Sequence, residues 1–447
     1  MPPVVVVNVV GLTPRLLAHM PHVATVGPAA TLRPVLPAVT CSMQATLLTG
    51  RRPREHGIVG NGWYFRDLGE VLLWRQHNAL VQGAQLWDTV PGLKTANVCW
   101  WYAMGAASDV LVTPRPIYHA DGRKSPDCYT RPTGLHDDLG SRFGPFPLFG
   151  YWGPNAGIES SRWIVSAARH ILHRERPGLL MVYVPHLDYD LQRYGPDGPE
   201  AVAAAKQVDG VLAPLLAEDA TVVVVSEYGI TSASRPVDVN RALRRAGLLE
   251  VYTHAGMEYL DPWTSRAFAV ADHQIAHVYV RDPADVTRAR DVVRELPGVD
   301  EVLDEAGKAK YGLDHQRAGE LVAVAEPDAW FTYYYWLSDE RAPDFARLVD
   351  IHRKPGYDPA ELFMDPADPL VRARAGLALV RKALGLRYTM NVVPLNPGHV
   401  RGSHGRLPDD PADGPVLLGP VDRDAYDATE VKQLITTLAV SASRLSK

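Results

Sequence analysis

The stretch Pro37-Ala-Val-Thr-Cys-Ser-Met-Gln-Ala-Thr-Leu-Leu-Thr-Gly50 leads from an apolar segment into a sequence typical of a helix. It predicts that Thr40 ends a strand and opens that helix, where the N-terminal amides form a binding site for an anion. Thr40 is therefore our candidate nucleophile for attack on a phosphate. The structural alternative is that Thr40 or Ser42 only caps a helix whose apolar face is Ala45, Leu47 and Leu48.

Runs of mainly apolar residues on either side of this stretch predict strands that are buried on both faces. The runs are Val4 to Val10, Leu179 to Val184 and Thr221 to Ser226. Segments with helical periodicity alternate with them, which is typical of an α/β fold with a mainly parallel sheet flanked by helices. In such sheets the functional side chains lie just beyond the carboxyl ends of the strands. The polar residues at these ends are Asn8, Thr40, Asp188 and Glu227.

Length and composition limit the classes of function. The 447 residues are 46% hydrophobic and 22% charged, which is typical of a soluble globular protein. A net charge of -5 gives no electrostatic footprint for a nucleic acid polymer. Three cysteines are too few for a disulfide framework and predict a reducing, cytoplasmic location. The sequence contains no run of about 18 apolar residues, so we predict no membrane-spanning helix.

We interpret residues 1–447 as a single catalytic domain. Residues 101–157 are rich in Pro, Gly, Tyr and His and lack clear periodicity. They predict an irregular insertion or cap over the active face.

The block that begins at Thr40 resembles the nucleotide pyrophosphatase/phosphodiesterase branch of the alkaline phosphatase superfamily. The resemblance lies in Thr40, Gly50, His56-Gly57-Ile58 and Asn61. It implies an alkaline phosphatase-like fold in which Thr40 attacks phosphorus beside two metal ions. Three residues after the nucleophile, where that family usually has Asn, this chain has Met43. At the next position, where His is common in the family, it has Gln44. The resemblance implies that Gln44 and Asn61 bind the substrate.

The metal-ligand elements of that family can also be located. Asp188-Tyr-Asp-Leu-Gln-Arg-Tyr-Gly-Pro196, Val223-Val-Val-Ser-Glu-Tyr-Gly229 and Gly402-Ser-His-Gly405 correspond to three of them, and Asn8 occupies the first-strand position. Four usual ligands are altered. The altered positions carry Asn8 for Asp, Gln192 for His, Glu227 for Asp and Tyr228 for His.

These changes weaken the expected metal site without abolishing it. Amide and phenol oxygens bind cations more weakly than carboxylate and imidazole do. Asp188, Glu227 and His404 remain candidate ligands, with Asn8, Gln192 and Tyr228 completing the set. This oxygen-rich set suits Mg, Mn or Ca at least as well as Zn.

Other residues could replace a missing ligand. In an extended loop, residues two positions from Asp188 point to the same side, so His186 or Asp190 could contribute. His273 and His277 lie beside a predicted strand, where packing is the commoner role. The aromatic clusters 63–65, 100–102 and 330–336 could stack on a base, although such clusters more often form core.

The sequence therefore predicts a metal-dependent hydrolase of phosphodiester, pyrophosphate or phosphomonoester bonds in a small-molecule, phosphate-containing substrate. A second hypothesis is a phosphoryl, phosphonate or sulfuryl transferase of a biosynthetic pathway. The third is a noncatalytic protein that keeps the pocket and binds a ligand without turnover.

Overall fold

A nine-stranded sheet forms the centre of the computed structural model, which describes residues 2–120 and 124–444. From edge to edge its strands are Ala425–Asp427, Ala29–Arg33, Val416–Leu418, Thr221–Val225, Val4–Val9, Leu179–Val184, Thr95–Val98, Val110–Pro114 and Cys128–Arg131. Five of the eight neighbouring pairs are parallel, which confirms the predicted α/β architecture.

The middle of this sheet brings distant residues together. Val4–Val9 pairs in parallel with Leu179–Val184 on one side and with Thr221–Val225 on the other. Asn8 lies opposite Tyr183 and Val225, near the carboxyl ends of all three strands. The residues that follow these strands therefore meet at one edge of the sheet.

Helices flank the sheet, and helices and strands share a large buried apolar core. The described helices are Pro14–Leu17, Pro21–Ala24, Thr40–Thr49, Pro53–His56, Gly134–Phe143, Leu148–Tyr151, Ile158–Glu175, His186–Tyr194, Pro199–Leu216, Val239–Arg245, Val286–Arg294, Glu305–Tyr311, Val371–Ala383 and Val431–Arg444. None of these described helices has the length and apolar character required to cross a bilayer.

A second, antiparallel sheet has its own apolar cluster. Its strands, in spatial order, are Ala267–Asp272, Ile275–Val280, Leu321–Ala325 and Val299–Leu303. Short two-stranded pairings join Gly62–Phe65 with Glu70–Leu73, Ile117–Tyr118 with Lys124–Ser125, Thr231–Ser232 with Gly402–Ser403, Arg235–Val237 with Ala329–Phe331, and Val251–His254 with Met257–Leu260. Asp272, at the end of the first strand of the second sheet, reaches the candidate site.

The segment 101–157 differs from its prediction as an irregular insertion. Val110–Pro114 and Cys128–Arg131 are strands of the central sheet, and Gly134–Phe143 is a helix. Both strands are short: Val110–Pro114 ends in a proline, and Cys128–Arg131, at the edge of the sheet, precedes one. Their sequence therefore carries little strand signal. The later part of the segment, including Tyr151 and Trp152, does line the large cavity described below.

Candidate active site

Thr40 is the first residue of the helix Thr40–Thr49, and the position before it, Val39, is the extended N-cap. No side chain caps this helix. The Ser42 hydroxyl donates to the carbonyls of Pro37 and Val39. Neither the Thr40 nor the Ser42 hydroxyl therefore caps the helix, as the structural alternative required. The Thr40 hydroxyl faces the cavity.

The start of this helix is hydrogen-bonded within the protein. The Cys41 amide, one of its N-terminal amides, donates to Asn61 Oδ1 at 2.9 Å. The Asn61 side-chain amide donates to Asp272 Oδ1 at 2.9 Å. Both ends of Asn61 are thus engaged within the protein, and this side chain fastens the start of the Thr40 helix to the second sheet.

A chain of hydrogen bonds leads away from the Thr40 hydroxyl. The Tyr228 phenol donates to Asp188 Oδ1 at 3.2 Å and lies 3.0 Å from Thr40 Oγ1. Because the one phenolic proton is directed to Asp188, the Thr40 hydroxyl donates to the Tyr228 oxygen. Gln192 donates to Asp188 Oδ2 at 2.8 Å, and Tyr357 donates to Gln192 Oε1 at 2.8 Å. The Gln192 carbonyl oxygen is therefore already used within the protein.

Glu227 lies on the other side of Thr40, and two amides stabilise it. Asn8 Nδ2 donates to Glu227 Oε1 at 2.6 Å, and Gln44 Nε2 donates to the same oxygen at 2.5 Å. Gln44 Oε1 accepts from the Trp101 amide at 2.7 Å. Gln44, predicted to bind substrate, thus has both ends engaged and positions Glu227.

Burial raises the pKa values of both acidic groups. The pKa of Asp188 rises to about 7 because its carboxyl is desolvated, although Tyr228 and Gln192 donate to it. The pKa of Glu227 rises to about 8 for the same reason, and donation from Asn8 and Gln44 offsets part of the shift. Both carboxyl groups can therefore exchange protons near neutral pH.

His404 is held in one orientation between two rings. Its Nδ1 lies 2.9 Å from the Ala38 carbonyl, which fixes the proton on that nitrogen and leaves Nε2 as a bare acceptor. Tyr228 stacks on one side of the ring at 3.6 Å, and His273 packs against it at 3.8 Å. Burial holds the pKa of His404 well below its usual range, so the ring is neutral.

The segment after Leu179–Val184 also differs from its prediction. It is the helix His186–Tyr194 and not an extended loop. In a helix, residues four positions apart share a face, which explains why Gln192 meets Asp188. His186 lies 3.7 Å from Asp190 on another face, and neither of these two residues is among those that line the cavity.

The site includes residues whose roles the sequence did not indicate. His273, interpreted as a packing residue, stacks on Tyr357 at 3.6 Å and lines the cavity. Asp272 accepts from Asn61, as described above. The Asp-His dipeptide at 272–273 was the available signal, whereas nothing in the sequence around Tyr357 identified it. His277 is buried and hydrogen-bonded to Val59, as its packing interpretation requires.

A cavity of about 830 Å³ opens over Thr40, Asp188 and Tyr228. Its aromatic lining includes Trp74, Trp101, Trp152, Tyr189 and Tyr357. Its basic side chains are Lys124, Arg353, Arg381 and Arg387. Of the aromatic clusters considered from the sequence, only Trp101 lines this cavity, whereas Trp63 and residues 330–336 belong to buried packing. The cavity therefore suits an anion with a flat or apolar organic part.

The donor atoms fit a divalent cation. Three lone-pair atoms at the site are buried without a hydrogen-bond partner among the described residues: Asn8 Oδ1, Glu227 Oε2 and His404 Nε2. A buried polar atom left unpaired costs about 1–3 kcal/mol, and a cation would satisfy such acceptors. His404 Nε2 lies 3.7 Å from Asp188 Oδ1, a separation that two ligands of one ion can have.

These donors form two pairs and do not converge on one point. Asp188 lies beside His404, and Asn8 lies beside Glu227. Within residues 2–120 and 124–444, the one group of three metal-type ligands whose atoms all lie within 4.8 Å of one another is Asp127, Cys128 and His136, at the edge of the central sheet. The two pairs at Thr40 are separate, and the number of ions they would hold stays a prediction from the resemblance.

Residues 4–358 match the family model described as Type I phosphodiesterase / nucleotide pyrophosphatase. The chain belongs to this family. Family membership confirms the alkaline phosphatase superfamily and makes the chain a phosphoester or phosphoanhydride hydrolase by class. Members of this superfamily are metalloenzymes, which agrees with the donor set described above.

Solved structures with the same fold cover nearly the whole chain. Phosphonoacetate hydrolase from Sinorhizobium meliloti 1021, in complex with phosphonoformate, has a TM-score of 0.62 at 17% identity and covers 98% of this chain and 95% of its own. An inactive variant of murine ectonucleotide pyrophosphatase / phosphodiesterase 5, in complex with AMP, has a TM-score of 0.58 at 16% identity with the same coverage. The human enzyme of that name has a TM-score of 0.56 at 14% identity, again with the same coverage. At these identities the similarity establishes the fold.

Proposed function

We propose that the chain hydrolyses phosphodiester, pyrophosphate or phosphomonoester bonds in a small molecule, with Thr40 as the nucleophile. The observation that carries this proposal is the Thr40 hydroxyl on the floor of the cavity, hydrogen-bonded to Tyr228 beside two buried acidic groups. A hydroxyl that only capped its helix would be used by the backbone.

The hydrogen-bond chain supplies a route for the proton. As Thr40 Oγ1 forms a bond to phosphorus and the bond to the leaving group breaks, the Thr40 proton passes to the Tyr228 oxygen. Tyr228 at the same time gives its own proton to Asp188. In the second step water attacks phosphorus, Thr40 Oγ1 leaves, and the proton returns from Asp188 by the same route. The proton that water releases balances the one taken up by the leaving group.

Asp188 and His404 would hold a divalent cation, and Glu227 with Asn8 would form a separate pair of oxygen donors in which the carboxylate is the stronger ligand. Such a cation would neutralise the charge on the phosphoryl oxygens. The protein's own part is to keep these donors in place. Gln192 and Gln44 orient the carboxylates, and the Ala38 carbonyl fixes the tautomer of His404.

The cavity suggests the substrate class. Its aromatic wall can stack on a flat group, while Lys124 and the arginines can pair with an anion. Its volume of about 830 Å³ accommodates a ligand as large as a nucleotide. We therefore expect a phosphate ester or anhydride whose leaving group is aromatic or apolar.

The free, buried state of Cys41, Cys99 and Cys128 is in keeping with a reducing, cytoplasmic location.

A second candidate is a noncatalytic ligand-binding protein. The observation that favours it is the donation of amide N–H groups to both acidic groups, by Gln192 to Asp188 and by Asn8 and Gln44 to Glu227. These bonds stabilise the carboxyl groups without a metal. This candidate predicts tight binding of a phosphate-containing ligand with no turnover and no bound metal.

The test is hydrolysis of an aryl phosphodiester with added Mg, Mn, Ca or Zn, together with elemental analysis of the purified protein. Thr40→Ala should abolish turnover and lower the free energy of unfolding by less than about 1 kcal/mol. Thr25→Ala, which removes a hydroxyl that bonds only to a nearby carbonyl, is the matched control. Asp188→Ala and His404→Ala should lose bound metal. Full activity of Thr40→Ala would refute the nucleophile, and metal-independent ligand binding without turnover would favour the second candidate.

A further inference from the structure

The helix Val371–Ala383, here called the cap helix, packs on the protein through one narrow face. Val371 and Ala375 contact a small apolar cluster that includes Ala360, Val392 and Val393. The residues on this inner face are small, so the helix lies close to the body of the protein. The cap helix follows the family-matched residues 4–358, and family membership assigns it no role.

The opposite face of the cap helix is apolar and exposed. Ala373, Leu377, Val380 and Leu384 follow one another at intervals of four, three and four residues, the spacing of a single stripe on a helix. The exposed fractions are 61% for Leu377, 55% for Val380 and 69% for Leu384, which directly follows the last helical residue. Leucine and valine this exposed on consecutive turns of one helix mark an interaction surface.

The charge of this segment is the reverse of the charge of the chain. Residues 370–390 contain five Arg or Lys and no Asp or Glu, although the whole chain has a net charge of -5. Arg374 pairs with Asp368, just before the helix. At about 100° per residue, Arg372 lies on one flank of the apolar stripe, and Arg374 and Arg381 lie on the other, where Arg381 also lines the cavity. An apolar stripe between basic flanks is typical of helices that lie at a membrane surface.

We propose that the cap helix docks on an anionic lipid surface. The apolar stripe enters the boundary between headgroups and acyl chains, and the arginines lie at the headgroup phosphates. The cap helix has 13 residues, too few to cross a bilayer, so it lies on the membrane and does not span it. Leu379, Arg381, Arg387 and Met390 of the same segment line the cavity, so the cavity lies close to the lipid surface and Arg381 stands at the boundary between the two.

The charge pattern favours lipid over a second copy of the chain. Two cap helices that met through their stripes would bring Arg372 and Arg381 of each copy near the same residues of the other. Within 370–390 there is no acidic side chain to pair with them. Like charges at close range repel, whereas anionic headgroups complement these arginines.

Co-sedimentation of the intact chain with vesicles tests this proposal independently of catalysis. We expect binding to phosphatidylcholine vesicles that contain about 30% phosphatidylglycerol, and much weaker binding to phosphatidylcholine alone. Leu377→Ser with Leu384→Ser should lower the partition coefficient by at least about tenfold. Arg372→Gln should lower it less, and added salt should weaken the binding of the unaltered chain. Leu337→Ser and Arg294→Gln change exposed residues outside the segment 370–390 and are the matched controls.

Thermal unfolding must give the same midpoint for all variants, so that lost binding is not lost folding. Because the substituted side chains are exposed, we expect no change. Two outcomes would overturn the proposal. One is that the unaltered chain does not bind the vesicles, or that the variant with Leu377→Ser and Leu384→Ser binds them as well as the controls do. The other is a dimer in sedimentation analysis that the stripe variant abolishes in the absence of lipid, which would assign the surface to a second copy of the chain.

Discussion

The Tyr228 hydroxyl is hydrogen-bonded to both the Thr40 hydroxyl and Asp188. Tyr228→Phe keeps the ring that stacks on His404 and removes only the relay oxygen. The variant should therefore fold normally and lose about 10²- to 10⁴-fold in kcat, the range typical of a lost proton-transfer group. Steady-state kinetics on an aryl phosphodiester would measure this loss.

Tyr279→Phe is the matched control for this prediction. Tyr279 is a buried phenol of the second sheet that donates to the Arg317 carbonyl and accepts from the Tyr64 amide, so removal of its hydroxyl costs two hydrogen bonds away from the cavity. We expect unchanged kcat in this variant. Activity within twofold of the unaltered chain in Tyr228→Phe would show that the Thr40 proton leaves by another route.

Asn8 occupies the position where the family resemblance implies a carboxylate, so Asn8→Asp should strengthen the metal site. The new carboxylate would lie against Glu227, now 2.6 Å from the Asn8 amide nitrogen. Like charges this close should lower the unfolding temperature without metal. A divalent cation should reverse the loss, because binding to the folded state alone stabilises it. Thermal unfolding with and without Mg or Zn, and calorimetric titration, would measure both effects.

Asn97→Asp serves as the control for metal rescue. Asn97 is a fully buried asparagine of the strand Thr95–Val98, and its Oδ1 accepts from the Trp100 amide. A buried charge there should also destabilise the fold, but added metal should not restore it. Equal rescue of the two variants would mean that the cation acts outside the Thr40 site.

At the scale of elements, a buried ionic cluster holds the segment that covers the cavity. Lys354 is 1% exposed and contacts Asp358 at 2.6 Å and Glu361 at 2.8 Å. Lys354→Met would leave two buried carboxylates without their cation, although Trp152 and two backbone amides still donate to them. Such a loss typically costs about 3–5 kcal/mol. Urea unfolding would measure this loss. In the triple variant with Asp358→Asn and Glu361→Gln, most of the stability should return, because no uncompensated charge remains buried.

The elements that could be predicted from sequence are those with a local pattern. The valine-rich strand predicted from Thr221 ends at Val225, one residue before its predicted end, and Leu179–Val184 has its predicted bounds. The helix His186–Tyr194 was missed because polar residues dominate its sequence. The bond between Asn8 and Glu227 joins residues 219 positions apart, and no spacing rule predicts such a partner. The site residues could be predicted from the family resemblance. The hydrogen bonds between them could not, because they join residues that only the folded chain brings together.

At the scale of the whole molecule, buried neutral histidines should make stability depend on pH. Burial lowers the pKa of His277 to about 4 and that of His56 to about 3. Below about pH 6.5 the unfolded chain binds protons that the folded chain does not, so the free energy of unfolding falls as the pH drops towards 4. At pH 5 the loss from His277 is about 2 kcal/mol.

His277→Gln isolates this effect from that of the other titrating groups. The side-chain amide of the introduced glutamine can still donate to the Val59 carbonyl, but it does not take up a proton. In urea unfolding at pH 7.5 and pH 5, the loss of stability should be about 2 kcal/mol smaller in the variant than in the unaltered chain. The same loss in both proteins would contradict the assignment of a neutral, buried His277.

The position of Val416–Leu418 has a consequence for how the chain folds as it is synthesised. This strand lies between Ala29–Arg33 and Thr221–Val225, and His404 precedes it by 12 residues. The strand Ala29–Arg33, which comes before the Thr40 helix, cannot take its place in the sheet until residues 416–418 have left the ribosome. A nascent chain that has not reached this strand would therefore lack the assembled active site, which would keep hydrolytic activity in check until the strand has been synthesised.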